Sequence, residues 1–104
     1  MLFRSDGKAF TCRVQYLTAS LAPEGRWREA KAFVDGGMLV LRPRGGLART
    51  PRAPTRCTVL RRGESPPRGR ITYVVSAEGD GMLAVIRIPI KSRAATHVDS
   101  LISG

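Results

Sequence analysis

Glycine and proline residues divide the chain into short segments in which apolar and polar side chains alternate, and this pattern constrains the fold most strongly. The clearest example is a pair of segments rich in Val and Ile, residues 71–76 and 82–88, on either side of the sequence Glu-Gly-Asp-Gly. Alternation with a period of two is typical of strands that bury one face, and a short glycine-containing turn between two of them predicts a β-hairpin. The sequence therefore predicts a mainly antiparallel, all-β fold.

Further strands are predicted on the N-terminal side of this hairpin. Residues 10–16 alternate in the same way and form the first strand. Pro23-Glu24-Gly25 predicts a chain reversal, and residues 27–34 are predicted as a strand, with a short helix as the alternative because their apolar residues also fit helical spacing. Asp35-Gly36-Gly37 predicts a turn into a short strand at 38–41, and residues 56–60 resume the alternation.

The end of the chain has a different pattern. Apolar residues at positions 94, 95, 98, 101 and 102 predict a short amphipathic helix, in which Thr96 and Asp99 could form a capping box. About six short strands followed by this helix predict a small six-stranded β-barrel or sandwich with the helix at one end. The 104 residues fit a single domain, 1–104, whose modest core leaves self-association as an open source of stability.

The apolar segments are too short for a membrane span. The longest run, residues 82–86, is far below the roughly 20 residues that a spanning helix needs, and the N-terminus lacks the apolar stretch of a signal peptide. We therefore expect a soluble, cytoplasmic protein.

Positive charge is concentrated in the middle of the chain. The net charge is +10, and 15 of the 18 basic residues are arginine. Residues 42–70 contain a single acid, Glu64, and nine arginines, so that this segment carries a formal +8. Such a segment predicts contact with an anion or an acidic surface. The candidate binding residues are Arg42, Arg44, Arg49, Arg52, Arg56, Arg61, Arg62, Arg68 and Arg70.

Part of this segment, at about 42–56, is rich in Pro and Gly and has no apolar period, which predicts a long loop. Two explanations stay open for its arginines. They could form an anion-binding arm, since guanidinium groups bind phosphate in a bidentate manner, or they could be a solvated surface in a protein from an arginine-biased genome.

Residues able to support catalysis are scarce. His97 is the only histidine, and it is distant in sequence from both cysteines, Cys12 and Cys57, which makes a Cys-His pair a poor explanation. Both cysteines fall on the predicted inner faces of strands, which favours buried thiols. No metal-ligand spacing and no nucleotide-binding glycine motif occurs, so we expect neither an enzyme nor a cofactor.

The order of elements resembles the PilZ domain, a small bacterial β-barrel that often binds cyclic di-GMP. The segment from Lys31 to Leu41, KAFVDGGMLVL, is similar to the strand and turn region of that family, and residues 70–75 and 82–88 are similar to its last two strands. The family's Arg-x-x-x-Arg motif is missing near the N-terminus, and Asp35-Gly36-Gly37 lacks the serine of its turn motif. The resemblance therefore implies a degenerate member that works through protein contacts, or one that uses Arg42, Arg44 or the loop arginines differently.

The leading hypothesis is a non-enzymatic binding or adaptor module that contacts an acidic protein surface or an anionic ligand through the arginines of residues 42–70. The alternative is sequence-independent binding of nucleic acid by the same segment. Proteins that bind single strands usually add aromatic stacking to charge, and no aromatic residue occurs between Phe33 and Tyr73.

Overall fold

The computed structural model describes residues 9–43, 54–63, 68–79 and 81–102, and these form a closed six-stranded antiparallel barrel with one short helix. The strands are β1 (Phe10–Leu17), β2 (Pro23–Asp35), β3 (Met38–Pro43), β4 (Thr55–Arg62), β5 (Arg70–Ala77) and β6 (Leu83–Pro89), and the helix α1 is Arg93–Asp99. The predicted barrel architecture and C-terminal helix are confirmed.

Each strand pairs with its neighbours in sequence, and β1 also pairs with β6. This last pairing closes the barrel, with Arg13 opposite Arg87 and Tyr16 opposite Ala84. Closure gives every strand two partners, so that no long strand edge is left to pair with another chain.

The period-two pattern decides which side chains fill the barrel. Cys12 and Val14 of β1 are buried inside it, whereas Thr11 and Arg13, which alternate with them, are exposed outside. The same alternation on the other strands creates one continuous core, to which α1 contributes Ala94 and Val98. We call the end of the barrel at which β6 finishes, and against which α1 packs, the α1 end.

The turn between β1 and β2 lies earlier than the sequence suggested. The chain reverses at residues 18–22, where Thr18 N–H donates to the Ala22 carbonyl at 2.8 Å and Leu21 adopts a positive φ of 68°. The reversal predicted at Pro23-Glu24-Gly25 is therefore wrong, because these residues belong to β2. The predicted turn at Gly36 and Gly37 is confirmed, and both have the positive φ that suits a tight hairpin.

Two β-bulges interrupt the regular pairing. On β4, Val59 lies opposite Val75 and Arg61 opposite Val74, so Leu60 is an extra residue. This extra residue reverses the alternation and places Arg62 on the side of the strand that faces Tyr73. On β2, four positions separate Arg28 from Glu24 while their partners on β1 are two positions apart, so β2 carries two extra residues next to Trp27.

The N-terminal cap of α1 differs from the one predicted from the sequence. Ser92 is the N-cap, and its hydroxyl accepts a hydrogen bond from the Ala94 amide at 3.1 Å. The predicted capping box of Thr96 and Asp99 is therefore wrong, since both residues lie inside the helix. Asp99 instead faces the barrel.

Candidate anion-binding face

The nine arginines predicted to bind an anion are dispersed over the barrel. Arg42 lies exposed on β3, and Arg61 and Arg62 lie at the end of β4. Arg70 is the first residue of β5, and Arg68 lies just before that strand. Arg44, Arg49 and Arg52, with most of the predicted loop, lie outside the described residues.

Arg62 is bound to a carboxylate of the protein itself. Its Nε and Nη2 atoms donate to the two carboxylate oxygens of Asp99 at 3.0 and 2.7 Å. The buried Tyr73 hydroxyl lies 2.9 Å from Asp99 Oδ1 and 3.2 Å from the Ala95 carbonyl oxygen. This cluster, the Arg62–Asp99–Tyr73 network, ties α1 to β4 and β5.

The network shifts the pKa values of Asp99 and Tyr73. The hydrogen bond from Arg62 is the main cause that lowers the pKa of Asp99, and the bond from Tyr73 acts in the same direction. The pKa of Tyr73 is raised well above its usual range, chiefly by burial and then by the hydrogen bond to Asp99. Asp99 is thus ionised and Tyr73 protonated at neutral pH.

Arg56 and Arg61 also make contacts within the chain. Arg56 Nη1 forms an ion pair with Asp35 at 3.0 Å, which links β4 to the β2–β3 turn. Arg61 Nη1 donates to the backbone carbonyl of Arg62 at 3.1 Å. Together with Arg62, these residues are engaged by the fold and are less suited to an external anion.

Arg68 and Arg70 lie at the α1 end, beside the segment that follows β6. The Ile90 amide donates to the Gly69 carbonyl at 2.9 Å, and Arg70 pairs with Pro89. This contact brings the two arginines close to Lys91, which is also exposed.

A different set of cations meets on the outside of β1, β2, β3 and β6. Arg13 lies directly opposite Arg87 on β6, and Lys31 lies directly opposite Arg42 on β3. Side chains in such positions are about 4.5–5.5 Å apart at Cβ, and like charges there repel each other. We call Arg13, Lys31, Arg42 and Arg87 the basic face.

One acid lies within this surface. Glu29 is the other cross-strand partner of Arg13, on β2, so that Arg13 has a carboxylate residue on one side and a guanidinium residue on the other. Lys31 has Thr11 on the side away from Arg42. The surface therefore keeps an excess of positive charge.

An aromatic ring lies over the basic face. The guanidinium carbon of Arg87 is 3.8 Å from the centre of the Trp27 ring, a close cation-π contact. Trp27 follows the extra residues of the β2 bulge, which is held by a hydrogen bond of 3.1 Å from Gln15 Nε2 to the Gly25 carbonyl. The ring is only partly buried.

Polar atoms without partners occur beside this ring. Among the described residues, only Thr72 Oγ1 and Arg87 Nε are buried side-chain polar atoms with no hydrogen-bond partner, and their residues pair directly across β5 and β6. Thr72 is covered by Gly63, whose amide donates to the Thr72 carbonyl at 2.7 Å. A side chain at position 63 would collide with the Thr72 methyl group.

The end of the barrel opposite α1 contains a cavity of about 430 Å³. Glu24 and Arg28 supply a charge of each sign to its lining, and Tyr16 supplies an aromatic ring. The lining is completed by Gly25, Thr55, Ala77 and Met82.

The thiols are poorly suited to nucleophilic chemistry. Burial raises the pKa of Cys12 to about 12 and that of Cys57 to about 11, so both are protonated at neutral pH. They lie free inside the barrel, whereas His97 is exposed on α1. Within the described ranges, no three His, Cys, Asp or Glu side chains come together as metal ligands would.

Sequence reasoning found one member of the basic face, Arg42, and missed Arg13, Lys31 and Arg87. The alternation of β1 does predict that Arg13 points outward. The missing information was the pairing of β1 with β6, which places Arg13 opposite Arg87, a residue distant in the chain. Trp27 lies outside the arginine-rich segment, so the lack of aromatic residues between Phe33 and Tyr73 gives no indication of it.

No protein family model matches the chain, and no curated protein or solved structure is significantly similar to it. Of the residues that the structure describes, none forms a helix long and apolar enough to cross a membrane.

Proposed function

We propose that this protein is a non-enzymatic binding module whose basic face contacts an acidic protein surface or an anionic ligand. The observation that carries the proposal is the presence of two neighbouring cross-strand pairs of like charge, Arg13 with Arg87 and Lys31 with Arg42. Each such pair is unfavourable in the free protein, and a bound anion would relieve the repulsion.

The contrast with other arginines of the same chain supports this proposal. Arg56 and Arg62 each lie against a carboxylate, and both contacts join separate elements of the fold. Among the described residues, the strand register places one acid, Glu29, beside the four cations of the basic face. A surface with an excess of positive charge suits an anionic partner.

The proposal moves the main contact away from the arginine-rich segment. Of the residues predicted from sequence, Arg42 belongs to the basic face, whereas Arg44, Arg49 and Arg52 stay a prediction for an adjoining arm. The resemblance to the PilZ domain likewise stays a prediction, and its cyclic dinucleotide is one ligand that the assay below can include.

Binding of labelled polyglutamate and polyphosphate, followed by fluorescence anisotropy at two salt concentrations, tests the proposal. The variant carrying Arg13→Gln, Lys31→Gln and Arg42→Gln should lose most of the binding, and the wild-type affinity should fall as salt rises. The matched control carries Arg68→Gln, Arg70→Gln and Lys91→Gln at the α1 end, with the same change in net charge, and should bind nearly as well as the wild type.

A third variant, Arg44→Gln with Arg49→Gln and Arg52→Gln, measures the contribution of the predicted loop. Equal losses in the basic-face variant and in the α1-end control would contradict the proposal, because binding would then follow net charge rather than this surface. Binding by the wild type to neither polyanion would also contradict it.

A further inference from the structure

We infer that the basic face binds single-stranded nucleic acid, with Trp27 stacked on Arg87 as a platform for an unpaired base. This inference rests on the proposed function and specifies the ligand class of the same surface. Proteins that bind single strands usually combine a flat aromatic surface with a row of cations, and the two occur together here.

The ring is already fixed in position in the free protein. The guanidinium carbon of Arg87 lies 3.8 Å from the centre of the indole ring, and the bulge that precedes Trp27 is held to β1 by the hydrogen bond from Gln15 to Gly25. A platform that is ordered before binding loses little conformational freedom when a base stacks on it. The partly exposed surface of the indole is available for this contact.

The four cations form a row across four strands, which we call the track, and are not clustered at one position. Arg13 lies beside Arg87 on the neighbouring strand, and Lys31 and Arg42 lie on the next two strands. Neighbouring strands are about 4.8 Å apart, and successive outward residues of one strand are about 6.6 Å apart, so that the track extends over several such steps. A charge distribution of this kind suits the backbone of an extended polyanion.

The aromatic ring favours single-stranded nucleic acid over other anions as the ligand. An acidic peptide would pair with the arginines but would offer no flat group of matching size to the indole. A duplex keeps its bases stacked inside, so it would reach the cations through its phosphates alone. A flexible single strand satisfies both the ring and the charges.

Trp27 is the only tryptophan of the chain, so its intrinsic fluorescence reports directly on this site. The probes are an oligothymidylate of about ten nucleotides, within the range that small barrel domains bind, a duplex of equal length, and polyglutamate. We expect the oligothymidylate to quench Trp27 and to bind more tightly than the duplex, and we expect polyglutamate to leave the emission nearly unchanged.

Anisotropy of labelled oligothymidylate tests the contribution of the ring. Trp27→Ala should weaken binding by about 5- to 150-fold, the equivalent of one base-aromatic stack, while Trp27→Phe should restore part of it. The salt dependence should stay unchanged, because no charge is removed. Phe33→Ala, which alters another half-buried aromatic residue of β2, is the matched control and should bind like the wild type. Circular dichroism and thermal melting verify that each variant is folded.

Equal affinity of the wild type and a folded Trp27→Ala variant for oligothymidylate would overturn the inference. So would tighter binding of polyglutamate than of oligothymidylate, and in either case the proposed function would survive if the basic-face variant lost affinity. Failure of all three probes to bind would overturn both.

Discussion

At the α1 end of the barrel Arg62 faces a carboxylate, whereas on the basic face Arg13 lies directly opposite a second arginine, Arg87. The first arrangement makes hydrogen bonds with both oxygens of Asp99 and anchors a helix. The second places two positive charges directly opposite each other, with Glu29 on the other side of Arg13. In the first region an arginine joins two elements of the fold, whereas in the second an arginine lies opposite another arginine on the barrel surface.

The two regions differ because of the residue that each arginine contacts from a neighbouring element, not because of the number of arginines nearby in sequence. Arg61 and Arg62 are adjacent in the most basic segment, and yet both are engaged within the chain. Arg13 and Arg87 come from segments in which acids and bases nearly balance. Among the described residues, the most basic stretch of the sequence therefore supplies only Arg42 to the basic face.

The largest effect is expected at the Arg62–Asp99–Tyr73 network. Tyr73→Phe removes a buried hydroxyl that bonds to Asp99 and Ala95, and it should lower the free energy of unfolding by roughly 1–3 kcal/mol. Urea denaturation of the purified protein measures this loss. The aromatic ring stays in the core, so the change isolates the hydroxyl.

A double-mutant cycle shows whether the network acts as a unit. In an Asp99→Ala background, Tyr73→Phe should cost less than it does in the wild type, because the hydroxyl has already lost one acceptor, with a coupling of about 0.5–3 kcal/mol. Strictly additive effects would show that the tyrosine and the carboxylate do not cooperate in holding α1.

The loss of stability in acid should differ between the wild type and Asp99→Ala. The pKa of Asp99 is lower in the folded protein than its usual value of 3.8, so its stabilising contribution is present at neutral pH and is lost as the pH falls below about 4. Thermal melting between pH 7 and pH 2 should therefore show a steeper loss for the wild type than for Asp99→Ala. Parallel curves for the two proteins would mean that ionisation of Asp99 does not stabilise the fold.

Much of the barrel could be predicted from sequence because its strands obey a local rule. The alternation at residues 10–16 and the hairpin around Gly79 and Gly81 each specify a buried face from a few neighbouring residues. The turn after β1 could not be placed in this way, because Leu21 adopts the left-handed conformation that sequence rules assign to glycine. Gly25, the residue that suggested a turn, serves a bulge instead.

The candidate site was less predictable because it depends on register. The bulge at Leu60 decides that Arg62 faces Tyr73, and no pattern around Leu60 indicates an extra residue. The basic face requires the pairing of β1 with both β2 and β6, which only closure of the barrel establishes. Single residues could be assigned to the outside of a strand, but their neighbours across the sheet could not be named.

The smallest effect is expected on the basic face, and its sign is opposite to that at the α1 end. Arg42→Glu replaces one member of the pair with Lys31 by a carboxylate, which converts repulsion into attraction across β2 and β3. We expect the free energy of unfolding to rise by about 0.2–1 kcal/mol while binding of polyanions weakens. Arg70→Glu changes the net charge equally at an exposed position opposite Pro89, and it corrects for the general effect of lowering the charge of a basic protein. A gain in stability no larger than that of this control would mean that Lys31 and Arg42 do not repel each other appreciably, and the argument for an anionic partner would then lose its main support.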